Sequence, residues 1–137
     1  MVNAALADLG ARYGGNGDDT PVDASEFEPP VGRFLVAWVG GVPAGCGGWR
    51  TFAEDDEVAE IKRMYTDPVW RGRGVASAVL RAIEESARDA GKKRTVLETG
   101  ARQPEAIALY RKLGYERVPN FGYYKDYPGS LCFGRVL

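Results

Sequence analysis

The chain has 137 residues, 18 of them basic and 19 acidic, for a formal net charge of −1, and it contains no histidine. That length suits one domain, residues 1–137, able to bury about two thirds of its unfolded surface, and so balanced a charge offers no whole-molecule field for nucleic acid or an anionic membrane. The missing histidine excludes Ser-His-Asp and Cys-His catalytic arrangements and imidazole zinc sites, so no metal centre is expected and acid–base work falls to Glu, Asp, Tyr, Lys or Cys.

The opening "MVNAALADLGARYGG" has neither a basic n-region nor an apolar h-region, and no run approaches the ~20 apolar residues of a membrane span. A soluble, cytoplasmic protein is expected. Ala4, Leu6 and Leu9 predict a short helix stopped at Gly14 and Gly15. Residues 14–33 read as a loop. Within it Asp18, Asp19, Asp23, Glu26 and Glu28 form an acidic run with no basic residue between Arg12 and Arg33. "RFLVAWVGGVPAGCGGWRTF" reads as a hairpin: strands over 33–39 and 43–52, turning at Gly40 and Gly41. The acidic residues 54–57 turn the chain into a third strand, 58–66. Its alternation sets Ala59, Ile61, Arg63 and Tyr65 against Glu60, Lys62, Met64 and Thr66. Cys46 and Cys132 lie in apolar surroundings without CxxC spacing, which marks them as buried reduced thiols and core fillers rather than nucleophiles.

Pro68 ends the third strand, and "VWRGRGVASAVLRAIEESARDAG" follows. Val75, Val79, Leu80, Ile83 and Ala87 share one helical face, with Gly91 as terminator. "RTVLET" is a short apolar strand. Pro104 then opens a second helix with Ala106, Leu109, Tyr110 and Leu113 on one face, stopped by Gly114. "YERVPNF" and "GSLCFGRVL" make a closing β pair. This order predicts an α+β fold, a mixed, mostly antiparallel twisted sheet flanked by helices.

A glycine turn leading from a strand into a helix presents backbone N–H groups at a positive dipole end, a geometry that favours pyrophosphate. Arg71 and Arg73 add charge there. A P-loop would need Gly-Lys-Ser/Thr where the chain has Gly74-Val75-Ala76. A Rossmann fingerprint on Gly72, Gly74 and Ser77, with Glu98 as the ribose acid, lacks a second βαβ half.

Taken together, "RMYTDPVWRGRGVASAVLRAIEESARDAG", "RTVLET" and "QPEAIALYRKLGYERV" resemble the Gcn5-related N-acetyltransferase (GNAT) superfamily. The acyl-CoA turn of that superfamily, Arg/Gln-x-x-Gly-x-Gly/Ala, is matched by Arg71, Gly74 and Ala76. Its later helix pattern, Ala-x-x-Leu-Tyr-x-x-x-Gly-Tyr/Phe, is matched by Ala106, Leu109, Tyr110, Gly114 and Tyr115. The resemblance implies the acyl-CoA N-acyltransferase fold with its first strand missing here or supplied from elsewhere, and the open edge so left predicts a homodimer. It implies direct acetyl transfer from acetyl-CoA to a small-molecule or peptide amine. The backbone of Met64, Tyr65 and Thr66 would run beside the pantetheine arm. The amides of Arg71, Gly72, Arg73, Gly74, Val75, Ala76 and Ser77 would take the pyrophosphate. Gln103 stands where the family usually has an asparagine that touches the cofactor. Tyr110 would be the general acid, with Glu60 as base and Glu98 as runner-up. The acidic loop suggests a cationic acceptor such as a polyamine. A catalytically silent acyl-CoA sensor and an interaction domain are the alternatives.

Overall fold

The computed structural model describes residues 24–137 apart from Arg102 and Tyr123. The N-terminal helix expected near residues 4–9, and Asp18, Asp19 and Asp23, lie outside the described residues. Six strands form one sheet: β1 (Gly32–Val39), β2 (Val42–Phe52), β3 (Asp55–Thr66), β4 (Arg94–Gly100), β5 (Glu116–Val118) and β6 (Ser130–Val136). Their order is β1-β2-β3-β4-β6-β5. Every neighbouring pair is antiparallel except β3 and β4. The parallel junction follows from the crossover, because α1 (Val75–Asp89) carries the chain from the end of β3 back to the start of β4. The second helix, α2 (Pro104–Lys112), links β4 to β5.

Helix α1 buries Val75, Val79, Leu80, Ile83 and Ala87, the face read from the sequence, and adds Glu84 to it. It lies flat on β2 because Gly47 has no side chain: a Cβ there would collide with Met64, Val79 and Ile83. Burial of Leu80 and Ile83, both fully enclosed, contributes roughly 1.5–3 kcal/mol each. Trp49, Ala59, Ile61, Leu97, Tyr110, Tyr115 and Phe133 complete this core on the helical face of the sheet. On the opposite face a smaller cluster gathers Phe27, Phe34 and Cys46, with Val36 and Tyr65 against it.

Three sequence expectations need correction. The β2–β3 turn is shorter than read, since Asp55 already belongs to β3. The exposed acidic side chains there cost nothing in a strand that projects into solvent. On α2, Ile107 rather than Leu109 packs on the core beside Ala106 and Leu113. The third is the alternation of β3, which fails past Lys62. Gly48 pairs with Lys62 and Cys46 with Tyr65, so β3 carries one extra residue across that interval. The bulge holds Arg63 at φ 61, a left-handed conformation costly for a residue with a Cβ. Beyond it the faces exchange. Met64 joins Ala59 and Ile61 on the helical core instead of facing the same side as Glu60, and Tyr65 turns to Cys46 and Phe34.

Candidate active site

The parallel ladder between β3 and β4 is short. It runs from Val58↔Arg94 to Glu60↔Val96 and stops. Past that point β3 stays with β2 through Tyr65 and Thr66, while β4 stays with β6 as far as Gly100↔Ser130. Two strands held by different partners in a twisted sheet separate, and they leave a cleft of about 340 Å³ between them. Lys62, Arg63 and Met64 line one wall, and Glu98 and Thr99 the other. Gln103 and Tyr110 from α2 line it as well, together with Tyr124, Tyr127 and Ser130 from the β5–β6 region.

Tyr110 is 7% exposed. Its ring packs against Tyr115 at 5.9 Å and Phe133 at 6.3 Å between centroids. Among the described residues its hydroxyl has no hydrogen-bond partner, and it lines the cleft. Burial, and then the Glu98 carboxylate, push the phenol up to about 12. It therefore keeps its proton at every physiological pH. The Coulombic coupling places Glu98 within electrostatic reach of that phenol.

The two candidate carboxylates sit differently. Glu60, 7% exposed, accepts a hydrogen bond from Arg50 Nε at 3.0 Å, and Arg50 Nη1 lies 2.7 Å from Glu26. Glu98 faces the cleft.

At the end of β3, Asp67 caps a short 3-10 turn, Pro68–Trp70, by accepting from the Val69 N–H at 3.1 Å. The chain then passes through Gly72 at φ 74 and Gly74 at φ 82, both left-handed, into α1. An added Cβ at either would touch nothing within 4 Å, so these glycines serve the backbone conformation and not packing. Gly74 is the N-cap residue and supplies no side-chain hydrogen bond. The first N–H groups of the helix, from Val75, Ala76 and Ser77, have no capping side chain there, which is the donor set an anion takes at a helix start. The Arg73 guanidinium lies over the Trp70 ring at 5.3 Å, and Arg71 Nε is 3.4 Å from the Thr66 carbonyl oxygen. At the start of α2, Gln103 likewise makes no side-chain cap.

Residues 3–115 match the Acetyltransferase (GNAT) family. The chain belongs to that family. It is 41% identical over 118 residues to an IAA acetyltransferase of Azospirillum brasilense, a match covering 85% of this chain and 75% of that one. Among solved structures it resembles a Klebsiella pneumoniae chain assigned as an acyl-CoA N-acyltransferase, at 31% identity and TM-score 0.75 over 99% of this chain and 87% of the other. The fold also matches the PaiA N-acetyltransferase of Thermoplasma acidophilum, solved in complex with coenzyme A, at TM-score 0.66 and 17% identity over 77% of this chain and 61% of that one. This GNAT chain is accordingly an acetyl-CoA-dependent N-acetyltransferase. Among the described residues no helix is long and apolar enough to cross a membrane, and no group of three or more His, Cys, Asp or Glu could hold a metal ion.

Of the sequence candidates, Met64, Gln103, Tyr110 and Glu98 come together at the GNAT cleft. Tyr65 and Thr66 continue the strand from Met64, and residues 71–77 form the turn beyond it. Sequence reading missed Lys62, Arg63, Thr99, Tyr124, Tyr127 and Ser130 as cleft residues. The tyrosine-rich "GYYKDYPGS" was the available signal, since that many aromatics in one loop exceed what a solvated turn requires.

Proposed function

We propose that this GNAT enzyme moves the acetyl group of acetyl-CoA directly to a primary amine, with no acyl-enzyme, and that residues 1–137 act as one domain. The observation that carries the reading is the divergence of β3 from β4 with an unpartnered phenol at 7% exposure on one side and Glu98 on the other. The backbone of Met64, Tyr65 and Thr66 offers its cleft side to the pantetheine arm as an added strand. The amides of residues 71–77 and the side chains of Arg71 and Arg73 receive the pyrophosphate, and Gln103 lies within reach of the same arm.

In the reaction the amine nitrogen forms a bond to the thioester carbonyl carbon, the C–S bond breaks, one amine proton goes to a carboxylate, and the sulfur leaves toward Tyr110. Glu98 is better supported than Glu60 as the proton acceptor, because Glu98 lines the cleft. A phenol at about 12 is a weaker acid than a thiol at about 8.5. Tyr110 therefore stabilises the leaving sulfur chiefly by donating a hydrogen bond, and the thiolate takes its proton from water as CoA departs. The acceptor belongs to the class of small-molecule or peptide amines. A cationic one is supported by the acidic run 18–28, in which Glu26 already serves Arg50. Among the described residues β1 is one of two edge strands and has Trp38 60% exposed, which supports a homodimer through that edge.

The test is free-thiol release from acetyl-CoA with spermidine, lysine, aspartate and a free-N-terminal tetrapeptide in turn, alongside calorimetric titration of acetyl-CoA. At least one amine should stimulate release. The folded Gly74→Glu variant, which places bulk and like charge at the helix start, should lose acetyl-CoA binding and turnover together. Full affinity in that variant removes the pyrophosphate assignment, and no stimulation by any amine removes the transferase reading.

A further inference from the structure

Ser130 Oγ is the one buried side-chain polar atom among the described residues that lacks a hydrogen-bond partner. Its backbone, by contrast, is fully used. The N–H donates to the Tyr127 carbonyl at 3.1 Å, and the carbonyl accepts from Asn120 Nδ2 at 3.0 Å. Native proteins rarely leave such a group unpaired without a reason, because it forfeits its water and gains nothing. Ser130 is one of the residues that line the cleft.

Register fixes its surroundings. Ser130 stands opposite Gly100, and Cys132 opposite Glu98, on the antiparallel pair β4 and β6. Residues two apart share a face, so Ser130 and Glu98 are diagonal neighbours on one side of the sheet, and Gly100 puts no side chain over the hydroxyl. Leu97 and Phe133 occupy the other face, in the core beneath α1 with Tyr110. Diagonal positions are roughly 7–8 Å apart. Ser130 Oγ makes no bond to Glu98 across that diagonal, and a nitrogen bound to both would bridge them.

We propose that Ser130 is an acceptor-contacting residue that selects primary amines. The inference rests on the transferase reading above. A thioester held from the α1 side presents its carbonyl to the side of Ser130 and Glu98. A neutral primary amine has two N–H groups. Glu98 takes the proton that leaves on C–N bond formation, and Ser130 Oγ accepts a hydrogen bond from the N–H that the amide product keeps. An N-methyl amine has only the first and leaves the hydroxyl without a donor.

Ser130→Ala tests this with three readouts on the panel amine that gives the fastest thiol release and on its N-methyl derivative. Acceptor kcat/KM for the primary amine should fall about 10- to 100-fold, the size of a hydrogen bond to a group developing charge. The N-methyl derivative should be nearly unaffected, and the KM for acetyl-CoA unchanged. The melting temperature should stay level or rise, since an unpaired buried hydroxyl has been removed. Equal losses with both amines, a rise in acetyl-CoA KM instead, or a melting temperature several degrees lower would each overturn the assignment. Parent protein inactive with every amine removes the transferase reading and the proposal with it, whereas an active parent with an unchanged variant removes Ser130 alone.

Discussion

Glu84 and the cleft are both buried and both polar, yet they are finished in opposite ways. Glu84 is 2% exposed in the middle of α1. One of its oxygens takes Arg81 Nη1 at 2.6 Å and Arg135 Nη1 at 3.2 Å, and the other takes the Tyr115 hydroxyl at 2.7 Å. That hydroxyl is 2.8 Å from Thr95 Oγ1 in turn. α1, β4, β6 and Tyr115, three residues beyond α2, are tied together through one carboxylate. At the cleft, Ser130 Oγ is buried without a partner, and the Tyr110 hydroxyl makes no hydrogen bond among the described residues. A satisfied network holds its elements in place. Buried groups left unsatisfied beside an open cleft are available to something that enters it.

The largest effect should come from the open side. Tyr110→Phe preserves the rings stacked on Tyr115 and Phe133 and removes only the donor. We expect kcat to fall about 10²- to 10³-fold, with acetyl-CoA affinity nearly unchanged and the melting temperature level, in steady-state thiol-release assays paired with thermal melts. If affinity and stability fell together with the rate, Tyr110 would belong with Glu84 as a structural group, and the contrast between the two centres would collapse.

The closed side should answer in stability. Removing one member of a buried ionic network costs roughly 3–5 kcal/mol. For Glu84→Ala the lower end is expected, because the Arg81 side chain is already 44% exposed and can turn to water. Tyr115→Phe should cost about 1.5–3 kcal/mol, the value of a hydrogen bond to a charged group. Urea unfolding measures both. A loss below about 1 kcal/mol for Glu84→Ala would show that the network is incidental.

These two centres were unequally legible in the sequence. The apolar face of α1, the glycine turn and Tyr110 were readable because spacing and backbone requirements are local: a 3.6-residue period, two glycines forced to positive φ, a patterned helix. Glu84 was invisible, since within "AIEESARD" it looks like any solvated helix glutamate. Its burial depends on Arg135 and Tyr115 arriving from 51 and 31 positions away. The bulge at Arg63 was hidden as well, because nothing in "EIKRMYT" tells a strict alternation from one with an inserted residue, and the two differ in which face Met64 takes. Ser130 could not have been found. Its meaning is that a partner is absent, and that can be stated only once the fold has put every other hydrogen-bonding group where it is.

The smallest effect expected is a dependence on pH, and it tells whether the Tyr110 environment is as dry as the contrast requires. Burial raises Cys46 from its ordinary 9.0 to about 12 and, with Glu98, raises Tyr110 from 10.0 to about 12. Both groups are neutral when protonated, so the folded chain keeps protons that the unfolded chain has released. Stability from these groups is fully present below pH 9 and is lost as pH rises through the window from 9 to 12. Denaturant midpoints should hold steady up to pH 9 and then decline. Between pH 9 and 10 the thiols lead, Cys46 with a share from Cys132, which burial also raises. Above pH 10 Tyr110 joins them, and so does Tyr115, which burial also raises. Cys46→Ala should therefore flatten the first part of the decline, and Tyr110→Phe only the part above pH 10. Parallel curves for Tyr110→Phe and the parent through that upper range would mean that water reaches the phenol in the folded state. Tyr110 could then ionise near its ordinary value, and the turnover rate, expected to show no descending limb up to pH 10, should instead fall as that pH is approached.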